Sequence, residues 1–147
     1  MAESGSGRPG AAHEMFAVDA ASRGLGIELV SADDGAAVTR MRVTRAMING
    51  HAIAHGGYIF LLADTTFACA CNSRGTPTVA SGAEITFVRP VRENDLLVAR
   101  AQERTLYGRS GIYDVTVTCG DEVVAEFRGR SRAISRMNDT GDTPTAA

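Results

Sequence analysis

An α+β fold, an antiparallel sheet wrapped around one long buried helix, is what this 147-residue sequence predicts, and three observations predict it. The segment YIFLLADTTFACACNS shows no two-residue alternation and has apolar residues on every side, so it reads as a helix buried all round. AAVTRMRV (36–43) alternates instead, with Ala37, Thr39, Met41 and Val43 on one face, as a half-buried strand does. Strand character returns over 78–89, 95–106, 110–119 and 122–134, broken by the turn-rich RPVREND, YGR and CGD. About five antiparallel strands around one helix form a single layer, whose other face is left to solvent or to a partner subunit.

Taken in order, residues 1–12 and 137–147 are rich in Gly, Ser, Thr, Pro and Asp and are expected to be flexible tails around one domain, 13–136. HEMFAVDAASRGLG predicts a short helix closed near Gly24. The long helix is expected to start at Gly56–Gly57, and Gly120–Asp121 marks a tight hairpin.

Composition narrows the function classes. A net charge of −2 and the lack of basic–aromatic interleaving argue against nucleic acid as a partner. Three cysteines without paired spacing argue against a disulfide framework and fit a reducing, cytoplasmic setting. The N-terminus carries no apolar leader, and no run approaches the roughly 18 apolar residues of a membrane span, so no membrane partner is expected. His51, His55, Cys69 and Cys71 form no tetrahedral set, because residues two apart on a helix diverge; no metal is expected, and Cys69 and Cys71 read as small core residues.

AHGGYIFLLAD (54–64) carries the chemistry. A helix N-terminus presents unpaired N–H groups and partial positive charge, and glycine admits a close ligand, so His55–Gly56–Gly57 has the makings of an oxyanion hole. The plainer reading is a loop that needs two permissive residues. Asp64 sits mid-helix with Phe60, Leu61, Phe67 and Ala68 as its neighbours at three and four positions. A carboxylate in such company points to function, or else to an arginine across a subunit interface. Gly56 and Asp64 are eight residues apart, about 12 Å along a helix. One helix therefore cannot bring an oxyanion donor and an acid to the same carbonyl group, each within about 3 Å. Two antiparallel copies can, so joint action of the two residues implies a homodimer with shared sites.

NGHAIAHGGYIFLLADTTFACACNS resembles the signature of hotdog-fold acyl-CoA thioesterases, in particular the phenylacetic acid degradation branch. The similarity continues through ITFVRP, GRSGIYDVTV and VAEFRGRSR, over roughly residues 14–136. The resemblance implies a hotdog fold and metal-free hydrolysis of aryl- or arylacetyl-CoA esters by dimers, usually paired into tetramers, with arylacetyl-CoA the expected substrate here. It makes Asp64 the catalytic carboxylate and the Gly56 N–H the thioester-polarising donor. His55 and Gly57 then line the site, with Asn49 in the adjoining loop and Thr65 near the attacking water. Tyr58, with Leu61, lines the acyl pocket, at a position where close relatives are expected to carry a more polar residue. Arg128, Arg130 and Arg132 share a strand face: a solvated face in the plain reading, holders of coenzyme A phosphates in the other, with Arg89 a further candidate. Two other functions fit less well. A hotdog hydratase or dehydratase would pair His55 with Asp64 but lacks the expected proline-rich loop, and a non-catalytic acyl-CoA-binding regulator would need a DNA-reading module.

Overall fold

The structure is a computed structural model and describes residues 10–134; most of the two expected tails lies outside them. Two short helices, α1 (Ala11–Ala17) and α2 (Ala20–Gly24), precede strands β1 (Glu28–Asp33) and β2 (Ala36–Arg42). The long helix α3 (Gly56–Cys71) follows, then β3 (Thr78–Phe87), β4 (Leu96–Tyr107), β5 (Ser110–Cys119) and β6 (Glu122–Ala133). All six strands join one antiparallel sheet in the order β1-β2-β4-β5-β6-β3. The four later strands fall within two residues of their expected bounds.

Three details differ from the sequence reading. The sheet has a sixth strand, β1, joined to β2 by Asp34–Gly35, both at positive φ (50° and 84°). That is the geometry of a two-residue hairpin turn, and a D-G pair is its strongest short signal. The single helix expected over 13–26 is two helices, broken where Asp19 turns extended and caps α2. Helix α1 also takes in Ala11 and Ala12, both buried, which the sequence reading places in the N-terminal tail.

The sheet curls around α3. Alternate residues of β2, β4, β5 and β6 point inward, among them Met41, Leu97, Val115, Val117 and Phe127, and they close on Leu62, Ala63 and Phe67 of the helix. Phe67 lies edge-on or tilted to Tyr113 and Phe127, with centroids 5.6 and 5.8 Å away. Gly129 of β6 makes this seating possible: a Cβ there would meet the Phe67 ring at 2.8 Å. Two edges end the sheet. At one of them β3 pairs only with β6; Asn72 covers its first residue, accepting from the Thr78 N–H at 2.9 Å and donating to the Thr78 carbonyl at 3.0 Å, and beyond Thr78 no described strand lies against its outer edge.

Gly129→Ala therefore overpacks a ring with no room to move. It should cost about 1–3 kcal/mol, read as a lower urea midpoint, and Phe67→Leu in the same chain should recover part of that loss. An additive double variant would show that the contact does not limit the packing.

Candidate active site

The start of α3 distributes its N–H groups unequally. His55 caps the helix: its backbone is extended, and its Nδ1 accepts from the Gly57 N–H at 3.3 Å. The Tyr58 N–H goes to the His55 carbonyl at 3.1 Å. The Gly56 N–H has no acceptor among the described residues, and at a helix start it points out along the axis. The Gly56 position is also crowded, since a Cβ there would meet the Phe87 ring at 2.8 Å. Gly57 is exposed, but its N–H is already engaged by His55.

The sheet does not enclose α3 fully, contrary to the expectation that it is buried all round. Leu61, Asp64, Ala68 and Cys71 are only half-buried, and Gly57 is exposed. Their spacing of four, three, four and three residues places them on one stripe. Asp64 has no hydrogen bond or ion pair to any described residue. Burial among apolar neighbours, and secondarily the negative charge of Asp19, push its carboxyl above the ordinary value of 3.8. Cys71, one turn beyond Ala68, is no nucleophile: burial pushes its thiol up to about 12, as it does for Cys69.

Around Gly56 lies a cavity of about 290 Å³, bordered by Asn49, Ile59, Phe87 and Arg89. Asn49 shapes the loop before α3, its Oδ1 accepting from the N–H of His51 (2.8 Å) and of Ile53 (3.4 Å). That loop holds Ala52 at φ 65°, a left-handed conformation that is uncommon outside glycine. Arg89 is exposed at the cavity and donates to the Val123 carbonyl at 2.8 Å. Tyr58 packs edge-on to His55 at 6.5 Å and, like Leu61, is half-buried.

Arg128 and Arg130 do not join this constellation. Phe127, Gly129 and Ser131 of β6 face the core, so the intervening arginines stand on the outer face. Arg128 forms a two-pronged pair with Asp114 (2.6 and 2.8 Å), and Arg130 reaches Glu84 at 3.1 Å. A groove of about 720 Å³ runs along that face, lined by Arg100, Arg104, Asp114, Glu126 and Arg128 among others. It lies across the sheet from α3.

The structure adds two residues that sequence reasoning passed over. Thr65 is buried, and its hydroxyl lies 2.7 Å from that of Ser22, which in turn lies 2.7 Å from Asp19 Oδ2. The available signal was Asp19 followed three residues later by a polar Ser22, the spacing of a capped helix start. No spacing rule could show that this cap lies against α3, beside Asp64. Among the described residues, no group of three or more His, Cys, Asp or Glu could hold a metal ion, and no helix is long and apolar enough to cross a membrane.

The arrangement offers an unclaimed N–H donor at a helix start and an unclaimed carboxylate of raised proton affinity two turns on, on a stripe of helix that one chain leaves open. Comparison with known proteins agrees with the fold. Residues 51–126 match the model of the thioesterase superfamily. The chain is 47% identical over 124 residues to the acyl-coenzyme A thioesterase PaaI of Escherichia coli (strain K12), spanning 84% of this chain and 89% of that protein. It superposes on the structure of the E. coli PaaI protein, from the phenylacetic acid degradation operon, with a TM-score of 0.83 at 46% identity, over 85% of this chain and 91% of that one. The TT0310 protein of Thermus thermophilus superposes with a TM-score of 0.76 at 34% identity, over 79% and 98%. The chain belongs to the thioesterase superfamily, and its antiparallel sheet wrapped around α3 is the hotdog fold of that family.

Proposed function

We propose that this protein is an acyl-CoA thioesterase that hydrolyses arylacetyl-CoA at sites shared between two copies of the chain. The observation that carries the proposal is that Gly56 N–H and Asp64, the two groups thioester hydrolysis needs, are both left without partners among the described residues. Helix α3 is unbroken over sixteen residues, so the two stand about 12 Å apart along it. A second copy, antiparallel to the first, sets the Gly56 N–H of one chain opposite Asp64 of the other. The open stripe of α3 and the outer edge of β3 beyond Thr78 supply the surface for that pairing, and two such dimers associate into a tetramer.

In each site the Gly56 N–H polarises the thioester carbonyl and holds its oxygen as negative charge develops. Asp64 takes a proton from water, whose oxygen bonds to the carbonyl carbon. Collapse of the intermediate breaks the carbon–sulfur bond, and the sulfur leaves as coenzyme A with a proton returned from Asp64. The products are the free acid and the thiol. His55 holds the helix start in place, and Asn49 holds the loop before it. Tyr58 and Leu61 give the acyl group an apolar wall, and Arg89 is the arginine placed to meet the coenzyme A phosphates. The name of the E. coli relative's operon supports an arylacetyl acyl group. Assays with a thiol-reactive dye should give phenylacetyl-CoA a higher kcat/KM than a long straight-chain acyl-CoA; the reverse order rejects this substrate class.

Asp64→Asn should lower kcat by well over tenfold, a barrier increase of more than about 1.4 kcal/mol, while acyl-CoA still binds. The same substitution should stabilise the fold at neutral pH. The folded carboxyl holds its proton above 3.8, so ionisation penalises folding progressively as pH rises from 3.8 to the raised folded value, and fully above it. The urea midpoint of the variant should exceed that of the wild type near pH 7 and converge with it at about pH 4 and below. A variant that is inactive but less stable at pH 7 would contradict this account of Asp64.

Shared sites make a further prediction. Gly56→Pro removes the donor yet suits a first helical position, and the Phe87 ring it displaces is 50% exposed and free to turn. Gly56→Pro and Asp64→Ala chains, each nearly inactive, should recover roughly a quarter of wild-type activity per chain when refolded together. Tagged chains report whether hybrids form. Hybrids without activity would rule out a site completed across the interface.

A further inference from the structure

Adjacent threonines of α3 use their hydroxyls in different ways. Thr66, fully buried, donates to the Leu62 carbonyl one turn back at 2.7 Å. Its single proton is thereby used, so the 2.7 Å contact between Thr66 and Thr39 is a donation from Thr39. That pair is closed within the core. Thr65 instead lies 2.7 Å from the Ser22 hydroxyl. Ser22, only 1% exposed, has one hydroxyl proton, and Asp19 Oδ2 lies 2.7 Å from its oxygen, while Asp19 Oδ1 accepts the Ser22 N–H at 3.0 Å. An ionised carboxylate only accepts. The proton of Ser22 therefore goes to Asp19, and the proton of Thr65 goes to Ser22. Thr65 Oγ1 is left with lone pairs alone, one residue from Asp64, itself an acceptor without a partner in the chain.

A small molecule that satisfies two neighbouring acceptors at once is one with two hydrogens to donate. We infer that Asp19 and Ser22 are positioning residues for hydrolysis: by drawing the Thr65 proton inward, they make the Thr65 oxygen an acceptor that holds the attacking water together with Asp64. This rests on the thioesterase reading above. The direction of the chain matters as much as its presence. A reversed chain would turn the Thr65 proton toward the water, so that its oxygen donated to the water and no longer accepted from it. The negative charge of Asp19 also acts on Asp64 directly, raising its proton affinity after burial has done so.

Kinetics of four variants test the inference, beginning with the wild type on an acyl-CoA panel. Absence of wild-type turnover overturns the thioesterase reading and this one with it; with turnover present, the variants decide this inference alone. Ser22→Ala should lower kcat about tenfold with KM within about twofold. In a Thr65→Val background the same substitution should cause no further loss, because Ser22 acts through the Thr65 hydroxyl. Asp19→Asn is the decisive variant, because asparagine caps helices as well as aspartate does and keeps every heavy atom in place. Its amide donates to Ser22, the Ser22 proton turns to Thr65, and the chain reverses. Asp19→Asn should therefore lose kcat as Ser22→Ala does, with helix content and urea midpoint little changed. It settles the question even if Ser22→Ala fails to fold. Wild-type kcat in Asp19→Asn, or a Ser22→Ala loss that adds in full to that of Thr65→Val, would show that the chain is only a clamp between α2 and α3.

Discussion

A helix holds its residues at fixed distances, and the rigid rise of α3 is the constraint on which the rest of this structure depends. Over sixteen unbroken residues it keeps Gly56 and Asp64 about 12 Å apart, and no local adjustment shortens that span. The sheet adapts to the helix. Gly129 lets Phe67 press against β6, and the rings of Phe60, Tyr113 and Phe127 fill in around it, with Phe60 and Phe127 at 5.4 Å. What the sheet leaves uncovered is the stripe from Gly57 to Cys71, and the sheet itself ends on β3, whose outer edge beyond Thr78 no described strand covers. That uncovered stripe of α3 carries the acid.

How much of this was legible in the sequence depended on the range of each signal. Periodicity is local, and it located α3 and five strands well, because alternation in β2 or all-round apolarity in α3 records burial directly. Strand β1 escaped because it lies at a sheet edge: Glu28, Val30 and Ser31 are exposed, so its pattern is weak, and only Asp34–Gly35 announced it. The break between α1 and α2 was hidden because Ala17 to Ala21 has ordinary helical composition apart from Asp19. At the site, Gly56 and Asp64 were legible as local oddities, whereas the link from Asp19 through Ser22 to Thr65 spans 43 residues between its two hydroxyls and exists only after folding. The arginines of β6 mark the same limit of range. Their shared face was read correctly, but the acids that pair with them sit on β3 and β5, beyond the reach of any local pattern.

Those pairings also border the groove on the outer face of the sheet. The outer face of the sheet is covered by alternating charges, and Arg128 is bound by both oxygens of Asp114, holding that carboxyl below its ordinary value. Exposed pairs of this kind contribute little to stability, but they leave little unsatisfied charge to recruit a ligand. They do blunt the sheet surface, as charged side chains commonly do.

The candidate site is marked by the reverse condition, polar groups that the chain declines to satisfy. His55 caps Gly57 and not Gly56, so the one N–H that points out of the helix is the one left over. The Thr65 hydroxyl is engaged by Ser22, 2.7 Å away, and Asp64, with no described partner, has its proton affinity raised by burial and by the charge of Asp19. Either group would be easily quenched: a donor beside Asp64 or an acceptor beside Gly56 would stabilise the fold. An unpaired polar group that is partly buried costs free energy, and here the fold tolerates two of them on a single helix. The shared-site reading accounts for both, because the thioester carbonyl accepts from Gly56 N–H while water donates to Asp64. The two unmet demands of one α3 are then met at two different sites, each completed by the α3 of the other chain.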